Sequence, residues 1–244
     1  MEHGRGQRRP WREWRLRGKR WLDLYGLNGF CLKLIAMASM LIDHTAAVML
    51  VPGQTYLNLR TIGRIAFPIF CFLLAEGVIY THSLRAYAIR LAVFAVLSEI
   101  PYDLAFQNTV WYPQAQNVFF TLLLAELVLW FYQWTFRRQQ VALSIPAAVA
   151  AMVAAELLHT DYGAMGICMI LLFYFLRDWP WWKYLLLAAF FGLTWWGQLQ
   201  VYALLAFPLF LLYNRARGPA LNKYIFYGFY PVHLLILWGI SCIL

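Results

Sequence analysis

Charge is scarce in this sequence. Only 13% of its 244 residues are Asp, Glu, Lys or Arg, and 11 of those are acidic. A soluble domain is about a quarter charged and about half apolar. This chain is 63% hydrophobic, with a mean hydropathy of +0.59. An ordinary water-soluble domain is excluded, and a polytopic membrane protein is indicated. Cysteine is scarce as well. Cys31, Cys71, Cys168 and Cys242 each stand alone in an apolar run, with no CxxC. They read as small buried hydrophobes, not as a disulfide framework or a metal site. No GxSxG elbow and no HExxH occur, so nothing supports a serine nucleophile or a bound metal. No soluble domain and no internal repeat is visible.

What is present is apolar length. Runs of about 20 residues mark spanning helices. They fall near 30–50, 64–80, 86–106, 117–135, 141–158, 162–177, 181–196, 198–213 and 224–244. The expected fold class is all-α, a polytopic transmembrane helical bundle of about nine helices, with eight to ten as the range. Trp179, Trp181 and Trp182, then Trp195 and Trp196, fit aromatic belts at two membrane faces. Residues 1–26 form a basic arm, and 27–244 a single transmembrane domain. The arm holds eight of the twenty Lys and Arg. It reads as a retained cytoplasmic segment before a signal anchor, since no short apolar core with a cleavage site follows. It suits contact with anionic membrane lipids. Nucleic acid is not an expected partner, because the arm has no fold with which to present its charges.

Loop charges set the orientation. With the N-terminus inside, Arg85, Arg90, Arg137, Arg138, Arg177, Lys183, Arg215, Arg217 and Lys223 all fall on the cytoplasmic side. The outer loops keep only Arg60 and Arg64. The positive-inside rule then predicts N-in, C-out for a multi-pass membrane protein.

The few charges inside the spans are unevenly placed. Ionisable groups in a bilayer cost about 2.5–3.5 kcal/mol on insertion scales, and they mark functional paths. Asp43 and His44 lie in the outer half of the first span, and Arg64 opens the second. Glu99 and Asp103 share a face of the third, and His159 and Asp161 fill the outer loop after the fifth. On the first span, Lys33, Met37, Met40 and His44 form one stripe. It runs roughly 16 Å, from a cationic inner mouth to the outer half.

A His beside a carboxylate suits general base catalysis. An Arg opposite suits an anion or a developing oxyanion. With no nucleophile near His44, direct transfer onto an acceptor fits better than a covalent enzyme intermediate. Cations at the inner mouth suit a phosphorylated donor such as a coenzyme A thioester. A proton-coupled transporter is the rival reading, although its usual broken, repeated helices are not seen. A non-catalytic assembly scaffold is another, although it has no need of buried Asp, His and Arg.

Six segments then occur in a set order: LKLIAMASMLIDH (32–44), GRIAFPIFCFLLAEG (63–77), RLAVFAVLSEIPYDL (90–104), NVFFTLLL (117–124), DYGAMG (161–166) and FYGFYPVHL (226–234). Together they resemble the TraX family, integral-membrane proteins linked to N-terminal acetylation of conjugative pilin. The resemblance runs from about residue 27 to the C-terminus, leaving the basic arm outside it. It implies an acetyl-coenzyme A-dependent acyltransferase acting on an outer acceptor, a peptide or pilin amine. An O-acyltransferase of an envelope glycan is the alternative within that class. By motif position, His44 would be the base, oriented by Asp43, with Arg64 at the oxyanion. Lys33, Arg85, Arg90 and Arg215 would hold the coenzyme A phosphates, and Tyr230 and His233 would line the donor path. Glu99, Asp103, Asn117, Asp161 and Tyr162 would shape the acceptor pocket.

Overall fold

The structure is a computed structural model, and it describes residues 25–220 and 222–243. Among these the chain is helical, with isolated bridges at Leu27–Tyr213 and Gln116–Thr160 in place of any sheet. Helix α1 spans Gly29–Met49, α2 Gln54–Gly63, α3 Ala66–Tyr80, α4 Leu84–Gln107 and α5 Val118–Arg137. Then come α6 Ser144–Leu157, α7 Gly163–Phe175, α8 Lys183–Thr194, α9 Phe207–Leu211 and α10 Lys223–Ser241. Two 3-10 segments, Val141–Leu143 and Leu199–Ala206, lead into α6 and α9. Apart from Tyr25 and Gly26, the basic arm lies outside the described residues.

Side-chain caps account for several helix starts. Asn28, Ser83, Asn117 and Asn222 each accept a backbone N–H from the first turn of α1, α4, α5 and α10. Helix α4 ends at Asn108, whose φ of 55° places it in the left-handed region that commonly stops helices.

Each expected span falls on a helical unit. Four units are long and apolar enough to cross a membrane: Gly29–Met49, Gln54–Tyr80, Val118–Arg137 and Lys223–Ser241. Helix α4 has the length, at 24 residues, but it carries Arg85, Arg90, Glu99 and Asp103. The other units run only 10–17 residues.

One expectation is corrected. The second span does not start at residue 64. It is preceded by α2, which continues into α3 through a break at Arg64 and Ile65. Helix α2 (QTYLNLRTIG) is too polar to register as an apolar run. The break has a covalent cause, since Pro68 has no N–H to give the Arg64 carbonyl.

Helix α1 packs on α2, α3 and α10; α4 lies between α10 and α5; α5 also meets α6 and α7; α3 meets α7. The α1–α2 crossing is tight because small residues line it. Ser39 Oγ donates to the Ile62 carbonyl at 2.6 Å. A Cβ placed on Gly63 would sit 2.2 Å from Asp43 Cβ. That crossing brings Arg60 of α2 and Arg64 just after it against Asp43.

Candidate active site

Asp43 is buried between two arginines. Its Oδ2 accepts from Arg60 Nη1 at 2.8 Å and from Arg64 Nη2. Arg60 and Arg64 are one helical turn apart, so both reach a single carboxylate. Arg64 Nη1 also donates to Gln200 Oε1 at 3.1 Å, from the 3-10 segment before α9. Asp43 Oδ1 and the Nε atoms of Arg60 and Arg64 are buried without hydrogen-bond partners among the described residues. One carboxylate thus ties α1, α2 and the α9 approach together.

His44 faces elsewhere. Its Nδ1 lies 2.7 Å from His233 Nε2 on α10, with the two rings nearly parallel at 7°. His233 Nδ1 lies 2.7 Å from the Phe229 carbonyl oxygen. A carbonyl only accepts, so His233 Nδ1 carries its hydrogen. In the neutral pair, His233 Nε2 therefore accepts from His44 Nδ1. This leaves the lone pair on His44 Nε2, which makes no hydrogen bond among the described residues. Phe106 and Tyr230 stand edge-on to the His44 ring, at centroid distances of 5.2 and 5.9 Å. The expectation that Asp43 orients His44 is thus corrected. Neighbours in sequence on a helix point about 100° apart, so the arginines take Asp43 and His233 takes His44.

The acidic residues gather on the same end. Asn117 Nδ2 donates to Glu99 Oε2 and, at 2.8 Å, to the Ala95 carbonyl. Asp103 Oδ2 accepts from the Tyr112 N–H at 2.7 Å. Asp161 is placed by its loop, which is laced to the approach to α5. Gln116 N donates to the His159 carbonyl at 3.0 Å, and Asp161 N to the Gln116 carbonyl at 2.9 Å. His159 and Tyr162 flank it with φ of 52° and 66°. A bulky Tyr rarely adopts this conformation, and such strain clusters at functional sites. The Tyr162 ring stacks on Phe67 at 3.4 Å. Burial pushes the Asp161 carboxyl up to about 6, against the opposing pull of Arg64. Tyr230 lies within electrostatic reach of Asp161, Tyr102, Tyr162 and Glu99.

The expected donor site does not assemble as a unit. Lys33 lies in a cleft with Arg217 and Lys223. Arg85 is exposed on the first turn of α4. Arg90 stands over the Tyr87 ring at 5.4 Å, close to Glu126. Arg215 is 3.6 Å from Asp178 and lines another cleft with Arg177, Lys183 and Glu76. Arg85, Arg90 and Arg215 do not line the Lys33 cleft. His233 is likewise more than a path lining, since it is the direct partner of His44.

Several partners were not anticipated. Arg60 reads as a loop residue unless α2 is recognised; its spacing of four from Arg64 was the available signal. Glu76 accepts from Arg177 Nε at 2.6 Å and from Tyr213 Oη at 3.2 Å. Gln200 carries no sequence signal at all.

No solved structure matches this chain. It is 32% identical over 236 residues to the probable fimbrial assembly protein FimC, serogroup H1, of Dichelobacter nodosus. That match covers 86% of this chain and 94% of the relative. Its apolar helices mark a membrane protein. The family described as TraX protein matches residues 28–241, most of the chain from the cap of α1 to the last residue of α10, and this chain belongs to the TraX family.

Proposed function

We propose that the protein is a multi-pass acyltransferase of a bacterial inner membrane, oriented N-in and C-out. It moves an acetyl or short acyl group from cytoplasmic acyl-coenzyme A to an acceptor amine on the outer side, such as a peptide or pilin N-terminus. Family membership and the fimbrial-assembly name of the relative favour a surface-fibre acceptor. The observation that carries the reading is the His pair. A ring held by its Nδ1, with Nε2 left unpaired, is a base aimed at a substrate.

The acceptor nitrogen attacks the thioester carbonyl carbon, and its N–H proton passes to His44 Nε2. The tetrahedral oxyanion is stabilised by Arg60 and Arg64, the two cations that Asp43 holds in place. Collapse breaks the C–S bond, and the proton goes to the departing thiolate. Amine and thioester become amide and thiol. His233 is a positioning residue: it fixes the His44 tautomer and shares the incoming positive charge.

Mass spectrometry of surface peptides and glycans, from cells with and without the protein, tests the reading. An acetyl mark on an N-terminal amine should appear with the wild type. It should be lost with His44→Gln at equal protein level, since general base catalysis is worth about 10²–10⁴-fold. An unchanged mark in folded His44→Gln protein refutes the assignment of the base. An acetylated sugar hydroxyl as the only change transfers the acceptor to a glycan.

A further inference from the structure

At the opposite end of α1 from the His pair lies an open cleft. Lys33, Arg217 and Lys223 line it together with the rings of Phe30 and Phe226, and no described lining residue is acidic. Backbone bonds explain the meeting. Leu27 N donates to the Leu212 carbonyl at 2.7 Å, and Asn214 N to the Leu27 carbonyl at 2.9 Å. Gly29 N then donates to the Ala216 carbonyl at 2.8 Å, and Phe30 N to the Arg217 carbonyl at 3.1 Å. The first N–H groups of α1, orphans in most helices, are thus spent on holding residues 212–217 against it. Arg217 arrives beside Lys33. Gly218, with φ of 75°, then turns the chain away, and a Cβ there would meet Asn28 Oδ1 at 2.5 Å. Helix α10 begins at Lys223, so its positive end faces the same space.

The charge balance is unusual for this protein. Arg60 and Arg64 share Asp43, Arg177 pairs with Glu76, and Arg215 approaches Asp178. Lys33, Arg217 and Lys223 have no ion pair among the described residues. Three like charges held together repel one another, and a multiply charged anion relieves this. The rings are placed to add a second contact. Phe30 and Phe226 meet edge to face at 6.3 Å, and Lys33 Nζ lies 4.9 Å from the Phe226 centroid. Phosphate chemistry suits the cations, and a planar base suits the rings.

We infer that this cleft holds the phosphate-bearing nucleotide end of the acyl donor, with Lys33, Arg217 and Lys223 as its phosphate ligands. The phosphate chemistry rests on the cleft alone; its assignment to a donor rests on the acyl-transfer reading. From Lys33 the stripe through Met37 and Met40 leads toward His44, roughly 16 Å along α1 at 1.5 Å per residue. An anionic lipid headgroup offers the same phosphate but no base.

Full-length protein in neutral-lipid nanodiscs tests the inference with adenosine 3′,5′-bisphosphate as the probe. Binding should weaken about 5–20-fold in each of Lys33→Gln, Arg217→Gln and Lys223→Gln, the size expected for charge-assisted phosphate contacts. The triple variant should lose it, and the affinity should fall as salt rises. Arg138→Gln should bind like the wild type, and Lys33→Arg should recover binding. Equal binding by wild type and a folded triple variant overturns the site. Wild-type protein that ignores the nucleotide, but retains phosphatidylglycerol in native mass spectrometry through these same residues, makes the occupant a lipid and overturns the donor assignment. The two proposals fail separately. Acetyl transfer with an unchanged donor KM in the triple variant sinks the cleft alone. Nucleotide binding by a wild type that transfers no acetyl sinks the acyl-transfer reading alone.

Discussion

Asp43→Asn separates a structural carboxylate from a catalytic one. The side chains of Asp43, Arg64 and Arg60 are 7%, 13% and 19% exposed, so the ion pairs are largely shielded from water. Removing the charge of one partner from such a group leaves the others uncompensated and costs about 3–5 kcal/mol. Here two guanidiniums would face each other across a neutral amide. At about 2–4 °C per kcal/mol for a chain of this size, the apparent unfolding midpoint should drop by roughly 6–20 °C. The assay is thermal unfolding of detergent-solubilised protein, followed by helical circular dichroism. Adding Arg60→Gln to Asp43→Asn should recover part of the loss, because one of the stranded cations is gone. A coupling of about 0.5–3 kcal/mol is the usual range for contacting residues. His44→Gln, by contrast, should melt close to the wild type. If Asp43→Asn kept the wild-type midpoint and lost turnover as His44→Gln does, the carboxylate would be orienting the base, and the division between the two residues would be wrong.

The remaining expectations are more local. Gly63→Val should lower the unfolding midpoint, because its Cβ would fall 2.2 Å from Asp43 Cβ and the α1–α2 crossing would have to open; a midpoint like the wild type refutes the tight crossing. Asp161 has a carboxyl raised from 3.8 to about 6 by burial. The stability tied to its neutral form is complete below about pH 4 and is lost as pH rises through 6; Asp161→Asn should flatten the stability profile across that window, and an unaltered slope counts against the shift. Cys242 is exposed near the end of α10, so an impermeant maleimide should label it from outside, and a cysteine at Arg138→Cys from inside. Labelling of both from one side rejects the N-in, C-out arrangement.

Helices were legible in the sequence because lipid leaves the backbone few choices. A buried N–H has only its own helix to bond, so apolar length alone predicts where helices fall. Helix α2 escaped because it is polar and ten residues long. Its role comes from what it packs on, namely Ser39 and Asp43 of α1. Partner choice escaped for a related reason. Asp43 and His44 are adjacent in sequence, yet their side chains leave the helix in different directions. Only the placing of α2 and α10 around α1 decides that one meets arginines and the other meets His233. The inner cations behaved likewise. Their sign was legible, but Lys33 meets Arg217 only because the chain before α10 is strapped to the start of α1.

That strap also links the two ends of the molecule. Helix α10 carries Lys223 and Phe226 at the cleft and His233 beside His44. Helix α1 carries Lys33 at the cleft and His44 at the other end. The same pair of packed helices therefore bears both proposed sites, at positions offset by seven to eleven residues, or roughly two to three turns. A donor anchored by its phosphates at the cleft would have to run along these two helices for its reactive end to approach the base. Binding energy at the cations would then serve orientation at the His pair. The consequence is measurable: neutralising the cleft should raise the donor KM and also reduce turnover with a truncated donor that lacks the nucleotide much less than with the full one.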